Sequence, residues 1–152
     1  MKKYLLLCAF SAVALTSCED EDVQNYEIDM LKGSWRTVKT EIISGADNKT
    51  VISTDVPSGC NAQSTTEFRT DYLTSYTAYY PLGTECGSSK TDGKFTYDSE
   101  LKNLAITYDG SSERTYKVQI LSSSELKLLQ TYDNIDYNGD HIIDKIYITY
   151  KR

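Results

Sequence analysis

The chain has 152 residues, a formal net charge of -6 and 39% hydrophobic residues, with 13 Tyr against 3 Phe. This length suits one domain and leaves no room for two. The 16 Lys and Arg residues are scattered among 22 Asp and Glu residues. Phosphate neutralisation needs clustered cations, so we set nucleic-acid binding aside.

The first 17 residues have the pattern of an export signal. Lys2 and Lys3 give a positive start, and residues 4–15 form an apolar stretch that is shorter than the roughly 20 residues of a spanning helix. The stretch ends in Leu15-Thr16-Ser17-Cys18, which resembles the lipobox of bacterial lipoproteins. The resemblance implies cleavage before Cys18 and acylation of Cys18, giving a protein anchored on a membrane without spanning it. The alternative is an ordinary secretory signal followed by a chance cysteine.

Four acidic residues, Glu19-Asp20-Glu21-Asp22, follow directly. Like charges repel and cannot pack, which predicts solvated disorder for residues 19–22, within a lipidated acidic tether of residues 18–25. Acidic residues at this place also resemble the surface-export signal of lipoproteins in some Gram-negative bacteria. That resemblance implies the bacterial outer membrane as location and favours the cell surface. Apolar residues near helical spacing then predict a short helix that Gly33 ends.

From Trp35 onwards, apolar and polar residues alternate with the period of β-strands. Turn residues such as Thr70-Asp71, Asp92-Gly93 and Asn138-Gly139 separate the alternating segments. Short strands at near-even spacing predict an all-β, antiparallel up-and-down barrel of about eight strands, with a sandwich as the alternative. We favour the barrel because closure removes exposed strand edges. The candidate strands are residues 34–44, 49–54, 64–69, 73–80, 93–97, 103–108, 113–121, 125–132 and 144–151.

Within these strands, the alternation predicts which side chains share a face. Tyr116, Val118 and Ile120 are expected on one face, and Ile142, Ile146, Ile148 and Tyr150 on another. Tyrosines recur throughout, and two interpretations remain open for them: a ligand-lining surface, or ordinary core and wall packing. The recurring tyrosines are Tyr72, Tyr76, Tyr80, Tyr97, Tyr108, Tyr116, Tyr132, Tyr147 and Tyr150.

A short helix that leads into Gly33-Ser34-Trp35 on the first strand resembles the lipocalin superfamily. The closer resemblance is to the small lipocalin-like lipoproteins of Gram-negative bacteria, and it covers residues 26–152 in layout. In lipocalins this Trp plugs the closed end of the barrel, and a basic residue from the end of the last strand packs on it. The resemblance implies that Gly33, Trp35 and either Arg152 or Lys151 close the barrel through a cation–π contact.

Two cysteines, Cys60 and Cys86, remain once Cys8 leaves with the signal and Cys18 is lipidated. An even pair in an exported protein predicts a disulfide. Each cysteine is expected in a Gly-rich loop, and closing a loop of about 25 residues stabilises a fold by roughly 3 kcal/mol in the chain-entropy treatment. A metal site or a catalytic thiol pair would need a nearby histidine or a Cys-x-x-Cys spacing, and the sequence has neither.

An acidic loop near the C-terminus has the spacing of a calcium loop. Oxygen ligands at positions 1, 3, 5 and 9, with a backbone carbonyl at position 7, resemble EF-hand and dockerin loops. Position 6 is His141 where Gly normally makes the turn, and position 12 is Tyr147 where a carboxylate normally closes the site. The alternative is a polar turn, since Asp, Asn and Gly favour turns anyway. The predicted Ca²⁺ ligands are Asp136, Asn138, Asp140, Ile142 and Asp144.

The sequence offers no constellation of catalytic residues. Its single histidine, His141, lies in the acidic loop, and no nucleophile elbow, phosphate loop or zinc motif accompanies it. We therefore expect a binding protein and not an enzyme. The leading hypothesis is a membrane-anchored lipoprotein that holds a small apolar ligand in its barrel or a partner protein at its rim. The second is an accessory or structural module of a cell-envelope assembly, without a small ligand.

Overall fold

The computed structural model describes residues 19–152, so the predicted signal and the lipidation of Cys18 lie outside the described residues. One helix, α1, precedes nine strands, and no described helix is long and apolar enough to cross a bilayer. A short 3-10 helix lies between the second and third strands. The elements are α1 (Glu19–Leu31), β1 (Gly33–Ile43), β2 (Val51–Asp55), the 3-10 helix (Asn61–Gln63), β3 (Thr65–Phe68), β4 (Leu73–Leu82), β5 (Glu85–Asp98), β6 (Asn103–Tyr108), β7 (Arg114–Leu121), β8 (Glu125–Gln130) and β9 (Lys145–Lys151).

The strands form one closed antiparallel barrel. Strands β3 to β9 pair with their neighbours in chain order, and β9 returns to pair with β1. The other edge of β1 is shared, because β3 pairs with its first half and β2 with its second half. Eight strands, β1 and β3 to β9, therefore close the ring. Strand β2 pairs with the same edge of β1 as β3 does, farther along β1. The predicted eight-stranded antiparallel barrel is confirmed.

Strand connections divide between two ends of the barrel. Helix α1 and the turns β3–β4, β5–β6 and β7–β8 lie at the closed end. The connections β1–β2, β4–β5, β6–β7 and β8–β9 lie at the open end. Because the barrel closes on itself and has its own buried core, residues 19–152 form a self-contained folding unit.

The hydrophobic core fills the half of the barrel next to α1. Trp35, Leu104 and Leu126 are fully buried there, and Ile28 and Leu31 of α1 cover them from outside the ring. Residues nearer the open end pack less completely, as shown by the partly buried Tyr108, Tyr132, Ile148 and Tyr150 at the edge of the core. The packing therefore leaves space in the open half.

Helix α1 begins at Glu19, so it includes the acidic residues 19–22, for which the sequence predicted disorder. That prediction was wrong, whereas the short helix predicted after them is present. Acidic residues are favoured in the first turn of a helix because they interact well with its positive N-terminal end. The run of four acidic residues is therefore compatible with a helix start, and mutual repulsion alone does not prevent it.

Strand β5 is much longer than predicted, since it spans Glu85–Asp98 and not residues 93–97. The whole of β4 pairs with it, from Leu73 opposite Lys94 to Leu82 opposite Glu85. The predicted turn at Asp92-Gly93 lies inside this strand. Pairing with β4 outweighs the weak strand preference of the Gly- and Ser-rich stretch. A Cβ on Gly93 would lie 2.5 Å from the Thr107 carbonyl oxygen, so Gly allows β5 and β6 to approach closely.

A β-bulge in β7 changes the predicted face of one residue. Tyr116 and Val118 point into the core, but the pairing with β8 shifts between Val118 and Ile120. Ile120 is 41% exposed as a result, so the prediction that it shares the face of Tyr116 was wrong. One extra residue in a strand reverses the alternation beyond it. Ile142, predicted on the last strand, lies exposed in the loop before β9.

The predicted Cys60–Cys86 disulfide is confirmed, with the two Cα atoms 5.5 Å apart. Cys60 lies in the connection between β2 and β3, but Cys86 lies in β5 and not in a loop. The disulfide therefore links the connection between β2 and β3 to the long β4–β5 hairpin. The Tyr79 backbone N–H donates to Ser64 Oγ at 2.9 Å in the same region.

Candidate functional site

The closed end of the barrel is built around Trp35. Its ring is fully buried, and its Nε1 donates to the carbonyl oxygen of Leu31 at 2.7 Å. The Arg152 guanidinium lies over the ring, with Cζ 4.1 Å from the ring centroid. The same guanidinium donates to the carbonyl oxygens of Met30 and Lys32, the latter at 2.6 Å.

Arg152 therefore joins both chain termini of the domain. The last carbonyls of a helix have no partner within the helix and carry a partial negative charge, which a cation stabilises. Lys151, the other candidate cation, instead pairs with Glu125 on β8. Gly33 has φ +115, and a Cβ there would still be 3.8 Å from Arg152, so backbone conformation and not space favours Gly at this position.

A polar cluster holds α1 against the same end. The Glu27 carboxylate accepts from the Tyr97 hydroxyl and from Lys102 Nζ, the latter at 2.5 Å. Gln24 Nε2 donates to the Tyr97 carbonyl oxygen at 2.9 Å. Burial, followed by the hydrogen bond to Glu27, raises the pKa of the Tyr97 hydroxyl above its usual range, so this donor stays protonated. The helix is thus a fixed cover over the closed end.

The open half of the barrel encloses a cavity of about 350 Å³. Its lining comes from all eight strands of the ring and from the β6–β7 and β8–β9 connections. Five of the recurring tyrosines line it, which favours the lining interpretation for those five. The lining residues are Thr37, Thr40, Thr66, Phe68, Tyr76, Thr91, Ile106, Tyr108, Ser111, Arg114, Tyr116, Leu128, Tyr132, Ile148 and Tyr150.

The tyrosine hydroxyls of this lining have other hydroxyls as neighbours. Tyr108 lies near Thr66 and Thr74, Tyr150 near Thr37, and Tyr116 near Tyr132. Among the described residues, no buried side-chain nitrogen or oxygen lacks a hydrogen-bond partner. The wall therefore presents mainly aromatic rings with a few uncharged hydroxyls, which suits a ligand with an apolar body.

Burial keeps the wall tyrosines uncharged. It is the main cause that raises the pKa of Tyr108, Tyr116 and Tyr150 above the ordinary tyrosine value.

Arg114 is the only charged side chain in the lining. Its Cζ lies 6.0 Å from the centroid of the Tyr132 ring, and the sequence analysis did not single it out. Whether a side chain lines the cavity depends on strand register and on its distance from the closed end. A sequence pattern does not give either of these.

The acidic loop lies at the open end, between β8 and β9. Asp136 accepts from the backbone N–H groups of Gly139 at 2.7 Å and His141 at 2.8 Å. Asp144 is 6% exposed and accepts from Gly45 N–H at 2.9 Å and Tyr137 N–H at 2.7 Å. These carboxylates therefore order the loop and fix it to the β1–β2 turn.

Within residues 19–152, no three His, Cys, Asp or Glu side chains are grouped so that they could hold a metal ion. Calcium binding by Asp136, Asn138, Asp140, Ile142 and Asp144 stays a prediction of the sequence. Its signature would be a chelator-sensitive gain in stability that the Asp140→Ala variant lacks.

Comparison with known proteins identifies one matching family model, described as a lipocalin-like domain, over residues 31–128. Among solved structures, the chain is similar to a bovine lipocalin allergen, Bos d 2, with 18% identity and a TM-score of 0.43, over 82% of this chain and 74% of that chain. A redesigned β-barrel is similar with 16% identity and a TM-score of 0.41, over 83% of this chain and 94% of that chain. No curated protein sequence matches the chain.

Arg152→Ala should lower the free energy of unfolding by about 1–3 kcal/mol, because it removes a cation–π contact and charged hydrogen bonds to helix carbonyls. Lys151→Ala is the matched control, since its exposed ion pair contributes at most about 1 kcal/mol. Urea unfolding followed by the fluorescence of Trp35, the only tryptophan, measures both. Equal losses in the two variants would contradict the assigned role of Arg152.

Asp144→Ala should lower the free energy of unfolding by about 1–3 kcal/mol, because two backbone N–H groups lose a buried, charged acceptor. Asp140→Ala, in an exposed residue of the same loop, should cost less than about 0.5 kcal/mol. Both are measured by urea unfolding in the presence of a chelator. If the chelator alone destabilised the unsubstituted protein as much as Asp144→Ala does, the carboxylate would act through a metal and not through the N–H groups.

Proposed function

The chain belongs to the family of lipocalin-like domains, and on that premise we propose that its barrel holds one small ligand with a largely apolar body. The observation that carries this proposal is the cavity between the core and the open end. Its volume of about 350 Å³ lies near the lower limit of ligand pockets, which range over roughly 300–1,000 Å³. A ligand there would be small.

The shape of the barrel supports binding through a single entrance. Arg152, Trp35 and α1 close one end, whereas the other end carries only connecting loops. Aromatic walls with few polar groups can surround an apolar body and fix its orientation through those groups. No arrangement of this kind requires a chemical step, so the proposed activity is binding and not catalysis.

The location we propose is the bacterial outer membrane, facing the cell surface, through acylation of Cys18. What supports it is the lipobox-like Leu15–Cys18 and the acidic residues that follow it. Helix α1 begins at Glu19 and packs on the closed end. An anchor at Cys18 would therefore be attached on the helix side of the barrel, away from the entrance, and would leave the entrance accessible.

A second candidate function is a docking site for an envelope protein at the rim, within an accessory or structural assembly. The observation that favours it is a group of exposed apolar side chains on the loop between β8 and β9. They are 40–48% exposed and lie beside the entrance: Ile135, Tyr137, Ile142 and Ile143. Apolar side chains grouped at a polar rim are typical of interaction surfaces.

Filling the cavity should abolish ligand binding. Thr91 lines the cavity and Thr96 on the same strand is exposed, so Thr91→Phe and Thr96→Phe make the same change on opposite faces of β5. We expect residues 19–152 to bind phenylnaphthylamine, a neutral fluorescent probe, and Thr91→Phe to weaken binding at least about tenfold through loss of space. The affinity of Thr96→Phe for the probe should stay within about twofold of that of the unsubstituted protein.

The measurement is a fluorescence titration, with circular dichroism to establish that each variant is folded. Binding that is equally strong in both variants would place the probe outside the barrel and contradict the proposal. Absence of binding to the unsubstituted protein would contradict it as well.

A further inference from the structure

Arg114 differs from every other residue of the cavity lining because it carries a charge that the lining does not neutralise. It lies at the first position of β7, next to the entrance, and it is exposed although it lines the cavity. No acidic residue lines the cavity. The ion pairs formed by the described side chains all involve other cations.

The surroundings of Arg114 leave its donors available. Its guanidinium has five N–H donors in a planar fork, which matches the geometry of a carboxylate, sulfonate or phosphate. The contact with the Tyr132 ring, at 6.0 Å from the centroid, is at the outer limit of a cation–π interaction and engages no N–H donor.

We propose that the ligand of this cavity is an amphiphile: an aromatic or otherwise rigid apolar body seated among the tyrosines, with one anionic group bound by Arg114 at the entrance. This inference rests on the proposed function and deepens it. The body fits the rings of Tyr76, Tyr108, Tyr116 and Tyr132, which form the walls in two contacting pairs with centroids 6.2 and 5.5 Å apart. The anion remains at the mouth, where it also keeps contact with water.

The acidic character of the rim does not oppose this arrangement at short range. Seven carboxylates occur in the open-end connections, on Asp47, Asp109, Glu113, Asp133, Asp136, Asp140 and Asp144. None of them lines the cavity, and exposed charges are screened over about 10 Å at moderate salt. A bound anion would touch Arg114 directly and would meet the rim charges only through solvent. The rim should slow the entry of an anion more than it weakens the bound state.

Two probes that share one aromatic body test the inference. Anilinonaphthalenesulfonate carries a sulfonate, and phenylnaphthylamine is the same ring system without it. Arg114→Gln removes the cation, and Lys117→Gln is the matched control because Lys117 lies on the same strand, outside the lining, and the net charge changes equally. Residues 19–152 are titrated with each probe by fluorescence, and circular dichroism verifies the fold of each variant.

We expect Arg114→Gln to lower the affinity for the sulfonate probe by roughly 10- to 100-fold, the range for loss of a charged hydrogen-bond pair. Binding of the neutral probe should stay within about twofold, and Lys117→Gln should leave both probes within about twofold. Arg114→Lys should recover part of the lost affinity, because it restores the charge without the planar fork.

Three results would overturn the inference. Arg114→Gln could leave the affinity for the sulfonate probe unchanged while Thr91→Phe still weakens binding of the neutral probe. The cavity would then bind ligands, but Arg114 would not select an anion. If Arg114→Gln weakens both probes equally, Arg114 shapes the cavity and recognises no charge. If neither probe binds the unsubstituted protein, the proposed function fails and this inference fails with it.

Discussion

The contact of Arg152 with Trp35 and with the last carbonyls of α1 is the constraint on which the rest of the structure depends. It joins three parts of the chain that are distant in sequence: the C-terminal end of the helix, the first strand and the last residue. Strands β1 and β9 must pair for this contact to form, so the same interaction marks closure of the barrel. A single cation thus satisfies helix carbonyls and covers an aromatic ring that would otherwise meet water.

Closing one end in this way determines where the cavity can lie. The largest buried side chains, among them Trp35, Leu104 and Leu126, fill the ring beside α1. Toward the entrance the inward positions carry tyrosines and threonines, which line the cavity. The barrel is therefore packed at one end and hollow at the other. The acidic loop stiffens the hollow end, since Asp144 fixes it to the turn at Gly45.

The sequence predicted much of this fold because its strongest signals are local. Alternating residues predicted the nine strands, and the resemblance of Gly33-Ser34-Trp35 to lipocalins implied the closed end with its terminal cation. The errors arose where pairing between distant strands decides the outcome. Glu85 to Asp92 joins β5 because β4 extends beside it, and Ile120 turns outward because β7 contains a bulge. The lining tyrosines were candidates, but Arg114 was missed, because a strand-end arginine has no local signature of facing a cavity.

The most direct test of a barrel that is packed at one end and hollow at the other is to locate a bound probe by NMR. Methyl groups of residues 19–152 are labelled, and nuclear Overhauser effects to phenylnaphthylamine are recorded. The account predicts contacts with Ile148 and Leu128, which line the cavity, and none with Ile120, which the bulge turns outward. Contacts with Ile120 or with the rim residues Ile142 and Ile143, without contacts to Ile148 and Leu128, would contradict it.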